Sequence, residues 1–225
     1  MSRKAIVLAA GRGERLRPIT DTLPKPLVPV AGKPLIGYHL HSLYRTGVRD
    51  VVINLSWLGD RIREELGDGR DYGVRIAYSD EGPVALETGG GIFNALPLLG
   101  PEPFLVVNGD VWTDIDFGAL KLRDDADASI VFVPNPAHNT RGDFALEGDM
   151  VIERDSGRLT YSGVGIFRPE LFAGCSPGKF PLAPLLRRAI AAGRLRGALH
   201  RGDWCDIGSP ARLAELDARV RQQVG

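Results

Sequence analysis

Apolar and polar positions follow two rhythms along this chain, and the rhythms predict its elements. Lys4 to Ala9 is a short apolar run of the kind that fills a strand buried on both faces. Leu35, Ile36, Leu40, Leu43 and Tyr44 recur at helical spacing, with Gly47 as a stop. Asp50 to Leu55 is the next buried strand, and Arg61 to Leu66 is a short helix ended by Gly67. Val74 to Tyr78 alternates, as a strand with one less buried face does. A further helix, capped by Thr88, carries Ile92, Phe93 and Leu96 and is expected to end at Pro97. Phe104 to Val107 is a strand that runs directly into Asn108-Gly109-Asp110.

Strands taking turns with helices imply an α/β fold: a doubly wound, mostly parallel, Rossmann-like sheet that binds ligands at the carboxyl ends of its strands. Gly11 and Asp110 both follow such ends, so they are expected to face one crevice. Beyond Ser129 to Val133 the rhythm changes. Short alternating strands at Phe144 to Leu146, Met150 to Glu153 and Leu159 to Phe167, without a helix, predict an antiparallel elaboration. Leu182 to Ala192 is helical with Gly193 after it, and Ser209 and Pro210 start a last helix through Val220. With no repeat, low-complexity tract or linker, residues 1–225 read as a single domain with halves at about 1–134 and 135–225.

Composition narrows the classes. Lys+Arg and Asp+Glu are both 28, which argues against a dedicated surface for nucleic acid or anionic membrane. With 44% hydrophobic and 25% charged residues, the chain has an ordinary globular balance. Cys175 and Cys205 have no metal or disulfide spacing. The apolar run after the N-terminus is too short for a signal-peptide core, and nothing approaches the roughly 20 apolar residues of a membrane span. A cytoplasmic setting is the expectation.

Candidate chemistry begins where the first strand breaks. Ala10, Gly11 and Gly13 let the backbone turn tightly and bring its N–H groups close to an anion. Arg12, Arg15 and Arg17 surround the turn with positive charge, and Pro24 and Pro26 restrict Lys25 on either side. The spacing is neither the dinucleotide fingerprint nor a P-loop, because neither a third glycine nor Gly-Lys-Ser/Thr follows. Asp110 and Asp206 could each be a cap or turn residue; as a pair at strand ends beside a phosphate loop they match what Mg²⁺ takes from a protein.

The stretch Leu8-Ala9-Ala10-Gly11-Arg12-Gly13-Glu14-Arg15-Leu16-Arg17-Pro18, followed by Pro24-Lys25-Pro26-Leu27-Val28-Pro29-Val30 and Pro34, resembles the signature of sugar-1-phosphate nucleotidyltransferases. The family pattern also has a G-D after a mid-chain strand and a late W-x-D-x-G, here Gly109-Asp110 and Trp204 to Gly208. The resemblance implies transfer of a nucleotidyl group from a nucleoside triphosphate to a sugar 1-phosphate with release of pyrophosphate. It gives Lys25, Arg15 and Asp110 the catalytic work, and Asp110 and Asp206 to Mg²⁺. Ala10, Gly11, Arg12, Gly13, Lys25, Glu87, Thr88 and Gly89 would hold the nucleotide; Asn108, Asp143, Ser162 and Gly163 the sugar phosphate. Many relatives carry Glu-Lys-Pro where this chain has Glu153-Arg154-Asp155, so that lysine's role is not transferred to Arg154.

The likeness runs nearly the whole chain and implies UTP with N-acetylmuramate α-1-phosphate, a sugar of cell-wall recycling. Mannose 1-phosphate with GTP, or glucose 1-phosphate with dTTP or UTP, is the alternative. The left-handed β-helix repeats of bifunctional relatives do not occur, so no acyltransferase half is expected. A regulatory nucleotide-sugar-binding subunit would typically lack Arg15, Lys25 or the aspartates, and all are present. No other partner is implied beyond a monomer or weak homo-oligomer. His39, His41, His138 and His200 have no ligand spacing, and no nucleophile elbow appears.

Overall fold

The structure, a computed structural model, describes residues 3–224. The first half is built as the alternation predicts. Strand β1 (Ala5–Leu8) is followed by a glycine loop, a short helix α1 (Ile19–Thr22), and a two-stranded corner, β2 (Pro29–Val30) and β3 (Lys33–Pro34). Then come α2 (Leu35–Arg45), β4 (Asp50–Leu55), α3 (Gly59–Leu66), β5 (Arg75–Asp80), α4 (Glu87–Leu99) and β6 (Phe104–Asn108). The second half has β7 (Val111–Thr113), β8 (Ala128–Val133), β9 (Phe144–Glu147), β10 (Met150–Ile152) and β11 (Arg158–Phe167). It closes with α5 (Ala183–Ala191), β12 (Leu195–Leu199), β13 (Trp204–Asp206) and α6 (Pro210–Val224).

Nine strands form one mixed sheet in the order β5-β4-β1-β6-β11-β8-β12-β10-β9. The first four run parallel. β11 then enters antiparallel between β6 and β8, so the antiparallel element lies in the middle of the sheet and joins both halves. β1 explains why the centre holds: Ala5 and Val7 face one core with α2 and α3, while Ile6 faces another with α4 and α5. Both faces are dry, so a continuous apolar run is what this position requires. A third cluster packs Leu216 and Val220 of α6 on Leu16, Val30, Leu35 and Ile207, tying the end of the chain to the opening loop. Asp217 of α6 accepts the Ala31 N–H at 2.7 Å across the same junction.

Three expectations needed correction. Helix α4 begins at Glu87, before Thr88, and Leu86 occupies the cap position without a side-chain cap. It also runs through Pro97 to Leu99, with Gly100 as its C-terminal cap, because a proline in the last turn costs only one hydrogen bond there. Strands β12 and β13 were not visible in the apolar pattern. Gly197 lies within β12 because a side chain there would collide with Phe132 and Val151, which hides the strand's rhythm. Among the described residues no helix is long and apolar enough to cross a membrane.

Candidate active site

The carboxyl ends of β1, β4 and β6 lie side by side, with Leu8 in register with both Asn54 and Asn108. The segments leaving β1 and β6, with Asn54 of β4, Glu81, Ala85, the first residues of α4 and Ile207-Gly208, wall a cavity of about 630 Å³. Of the expected site residues, Ala10, Gly11, Arg12, Gly13, Arg15, Lys25, Glu87, Thr88, Asn108 and Asp110 line it.

The glycine loop is shaped from within. Gly13 takes a left-handed conformation, φ 70°, and its carbonyl accepts the Thr20 hydroxyl at 2.8 Å. The backbone N–H groups of Ala10 to Gly13 donate to no described residue, which leaves them free for an anion. Arg12 stacks on Trp57, 3.5 Å from the ring centroid, and Trp57 is itself anchored by its indole N–H on the Thr20 carbonyl at 3.0 Å. Arg15 is exposed and makes no hydrogen bond or ion pair with a described residue. Two guanidinium groups thus border the loop, one held and one free.

Lys25 sits in a tight turn, Lys25–Leu27, opened by Pro24 and carrying Pro26 at its second position. Only 7% of the residue is exposed, and its Nζ donates to Asp110 Oδ2 at 2.5 Å. Asp110 follows β6, and its own backbone carbonyl accepts the Ile207 N–H at 2.9 Å. The β7–β13 ribbon sets Asp206 opposite Val111, the residue after Asp110, so the backbones of the two expected aspartates lie at one end of the ribbon. Asp206 Oδ1 meets Arg212 at 2.6 Å and His138 at 2.9 Å. Each carboxylate keeps a second oxygen with no hydrogen bond to a described residue. A cation such as Mg²⁺, which takes one or two carboxylates and fills its remaining positions with phosphate oxygens and water, fits that donor set. No group of three or more His, Cys, Asp or Glu side chains that could hold a metal exists among the described residues, so an ion held there would have to take its other ligands from phosphate oxygens or water.

His39, behind Asp110, is 3% exposed, and burial lowers its pKa to about 4 against smaller opposing effects of the Val111 backbone and Asp110. Its Nε2 has no hydrogen-bond partner among the described residues. Glu81 is pushed up by burial and pulled down by the Leu86 N–H and the Asn54 amide.

Five expected residues do not line the cavity: Asp206, which directly precedes the lining residue Ile207, and four that are placed differently. Gly89 packs against Phe180 and Pro181, where a side chain has no room, so its absence of a Cβ serves close packing. Ser162 is fully buried; its hydroxyl accepts the Val164 N–H at 3.2 Å and its carbonyl the Trp204 indole at 2.9 Å. Asp143 ties the β9–β11 junction, accepting the Tyr161 N–H at 2.8 Å. Gly163, φ 81°, lies in the irregular stretch of β11 and leaves room for the Asn108 side chain, with which any Cβ would overlap. Gly163 thus packs against a cavity-lining residue, Asn108. Among the lining residues that were missed are Asn54 and Glu81: Asn54 sits inside an apolar strand and Glu81 just after β5, and the one signal available was a lone polar residue within Val51 to Leu55.

Residues 4–142 match the family model for nucleotidyl transferases. The chain is 54% identical over 224 residues to the N-acetylmuramate alpha-1-phosphate uridylyltransferase of Neisseria meningitidis, covering 96% of this chain and 97% of that protein. It is 37% identical over 235 residues to the enzyme of the same name in Caulobacter vibrioides, covering 97% of each. A crystal structure of a Bacillus anthracis protein, described as a glucose-1-phosphate thymidylyltransferase in complex with a sucrose, superposes with a TM-score of 0.86 at 21% identity, covering 98% of this chain and 96% of that one. At that identity the likeness concerns the fold alone.

Proposed function

The chain belongs to the nucleotidyl transferase family, and within it we propose that it is a uridylyltransferase joining UTP to N-acetylmuramate α-1-phosphate. The single observation that carries this reading is the 54% likeness, along nearly the whole chain, to a protein of that name; the cavity lined by the glycine loop, Lys25 and Asp110 supports it.

The chemistry follows from what is in the cavity. It offers free backbone N–H donors, cations and carboxylates, and no activated protein nucleophile. That inventory suits phosphoryl transfer, in which positioning and charge neutralisation do most of the work. A phosphate oxygen of the sugar 1-phosphate attacks the α-phosphorus of UTP; the bond from that phosphorus to the bridging oxygen breaks, and pyrophosphate leaves. The products are UDP-N-acetylmuramate and pyrophosphate. Because the attacking oxygen is already anionic, no general base is required.

In this reading the N–H groups of Ala10 to Gly13, with Arg15, receive the β- and γ-phosphates at the mouth of β1. Lys25, a buried cation whose one hydrogen-bond partner among the described residues is the Asp110 carboxylate, would stand where the two phosphate groups meet and offset the charge they develop. Glu87 and Thr88 flank the uridine, and Asn108, braced by Gly163, meets the sugar phosphate. Asp110 and Asp206 would hold Mg²⁺, which when bound supplies a Lewis acid for the phosphate oxygens. The product is an activated cell-wall sugar, which fits a role in recycling wall material. Pyrophosphate release from a panel of nucleoside triphosphates and sugar 1-phosphates tests the assignment, and release only with a different pair would reassign it.

A further inference from the structure

Asn54 is a polar residue in the middle of an apolar strand, 3% exposed, between Ile53 and Leu55. A buried amide is tolerated only when its groups are paired. Its Oδ1 accepts the Ala9 N–H at 2.6 Å, and its Nδ2 donates to Glu81 Oε1 at 2.6 Å. The other carboxylate oxygen of Glu81 accepts the Leu86 N–H, also at 2.6 Å. The amide's orientation is fixed by chemistry, since an N–H on one side needs an oxygen and a carboxylate on the other needs an NH₂. Helix α4 closes over this pair at Gly91, where a side chain would overlap both Glu81 and Asn54.

Both ends of this chain of bonds reach the cavity wall: Ala9 lines it where the glycine loop opens, and Leu86 directly precedes the lining residues Glu87 and Thr88. We propose that Asn54 is a positioning residue that, through Glu81, sets the spacing between the phosphate-holding loop and the 86–88 turn, so that nucleotide affinity depends on the unbroken series Ala9, Asn54, Glu81, Leu86. The proposal rests on the reading of this cavity as the UTP site. Glu87, at φ 61°, is held in a conformation unusual for its type directly after the last bond of the series.

The test exploits polarity. Asn54→Asp sets two carboxylates face to face; Glu81→Gln turns an amide towards either Asn54 or the Leu86 N–H, and one bond is lost. In the double variant Asn54→Asp/Glu81→Gln the series closes again: the amide introduced at position 81 donates its NH₂ to the carboxylate introduced at position 54, and its oxygen accepts the Leu86 N–H. The groups facing Glu81 are Asn54 of β4, the Leu86 N–H and Gly91 of α4, and its neighbour Asp80, which pairs with Arg63 at 3.3 Å. A proton shared by the two carboxylates of Asn54→Asp would replace the lost donor, so its defect should grow as pH rises.

KM for UTP and for the sugar phosphate, kcat, calorimetric UTP binding and the urea midpoint are to be measured for all three variants between pH 6 and 9. Loss of a buried bond should raise KM and Kd for UTP roughly tenfold in Asn54→Asp at the upper end of that range, with the sugar phosphate KM within about twofold. The double variant should return UTP affinity to within about threefold of the parent. A double variant no better than the worse single one, while its urea midpoint recovers, overturns the proposal, as does an Asn54→Asp defect that falls equally on both substrates. If Asn54→Asp does not fold, the comparison of Glu81→Gln with the double variant decides in the same way. A parent that binds UTP but turns over no pair overturns the activity instead, and the binding data still judge the relay; a parent that does not bind UTP overturns both.

Discussion

Lys25 Nζ lies 2.5 Å from Asp110 Oδ2, joining a nearly buried cation to a carboxylate whose side chain is 40% exposed at the cavity. The asymmetry of that pair suits the role proposed for it. The lysine is fixed by its proline turn, whereas the aspartate faces the space that the substrates would enter, so phosphate oxygens can share the ammonium without moving it. A pair with one exposed partner adds little to stability, and its place at the meeting of two loops points to chemistry.

Lys25→Met keeps the apolar stem of the side chain and removes the charge. Turnover is expected to fall by about 100-fold or more, while the unfolding free energy in urea changes by no more than about 1 kcal/mol. Steady-state kinetics beside urea denaturation check this; near-normal turnover would remove Lys25 from the transfer step.

Asp206→Asn leaves an amide that still accepts from Arg212 but is a poor ligand for Mg²⁺. Its activity should need roughly tenfold more Mg²⁺ for half saturation, and chelation should silence the parent protein reversibly. A Mg²⁺ titration that is identical in the two proteins would exclude Asp206 from the metal site.

His39 gives the fold a dependence on pH. Its pKa is lowered to about 4 in the folded chain from an ordinary 6.5, so the unfolded chain binds the extra proton between those values. Stability should therefore be fully present above about pH 6.5, decline as pH falls towards 4, and level off below it, by on the order of 3 kcal/mol in all. Urea midpoints from pH 4 to 7 should show a shallower decline for His39→Leu than for the parent. Parallel declines would mean that the loss comes from other groups.

Glu87 holds φ 61°, where a Cβ costs about 1 kcal/mol and glycine is at ease. Its ion pair with Lys179, at 3.5 Å, is exposed and contributes little. Glu87→Gly is therefore expected to leave the unfolding free energy in urea unchanged or slightly raised, and Glu87→Val to lower it by roughly 1–2 kcal/mol. A marked loss in the glycine variant would show that the carboxylate itself supports the fold.

How much of this was legible in the sequence depends on the range of the interactions involved. Local rules sufficed for β1, β4 and β6, whose apolar runs are demanded by burial on both faces, and for the glycine loop and Lys25, whose motif is contiguous. They failed at β12, where Gly197 answers a contact with Phe132 from another strand, and at α4, whose start is fixed by the Leu86 bond to Glu81 and not by the Thr88 side chain. Asn54 and Glu81 are 27 residues apart and meet only once β4 and β5 pair. Ser162 and Gly89 stand within the right motifs, yet their surroundings are protein on all sides, which the order of residues does not reveal.

The most direct measurement compares kcat/KM for UTP with N-acetylmuramate α-1-phosphate against GTP with mannose 1-phosphate, with the product identified by mass. The account predicts stoichiometric UDP-N-acetylmuramate and pyrophosphate, with the first pair favoured by about 100-fold or more, as a site that hydrogen-bonds one substrate rejects another. Equal or greater efficiency with GTP and mannose 1-phosphate, or no nucleotide sugar from either pair, would contradict it.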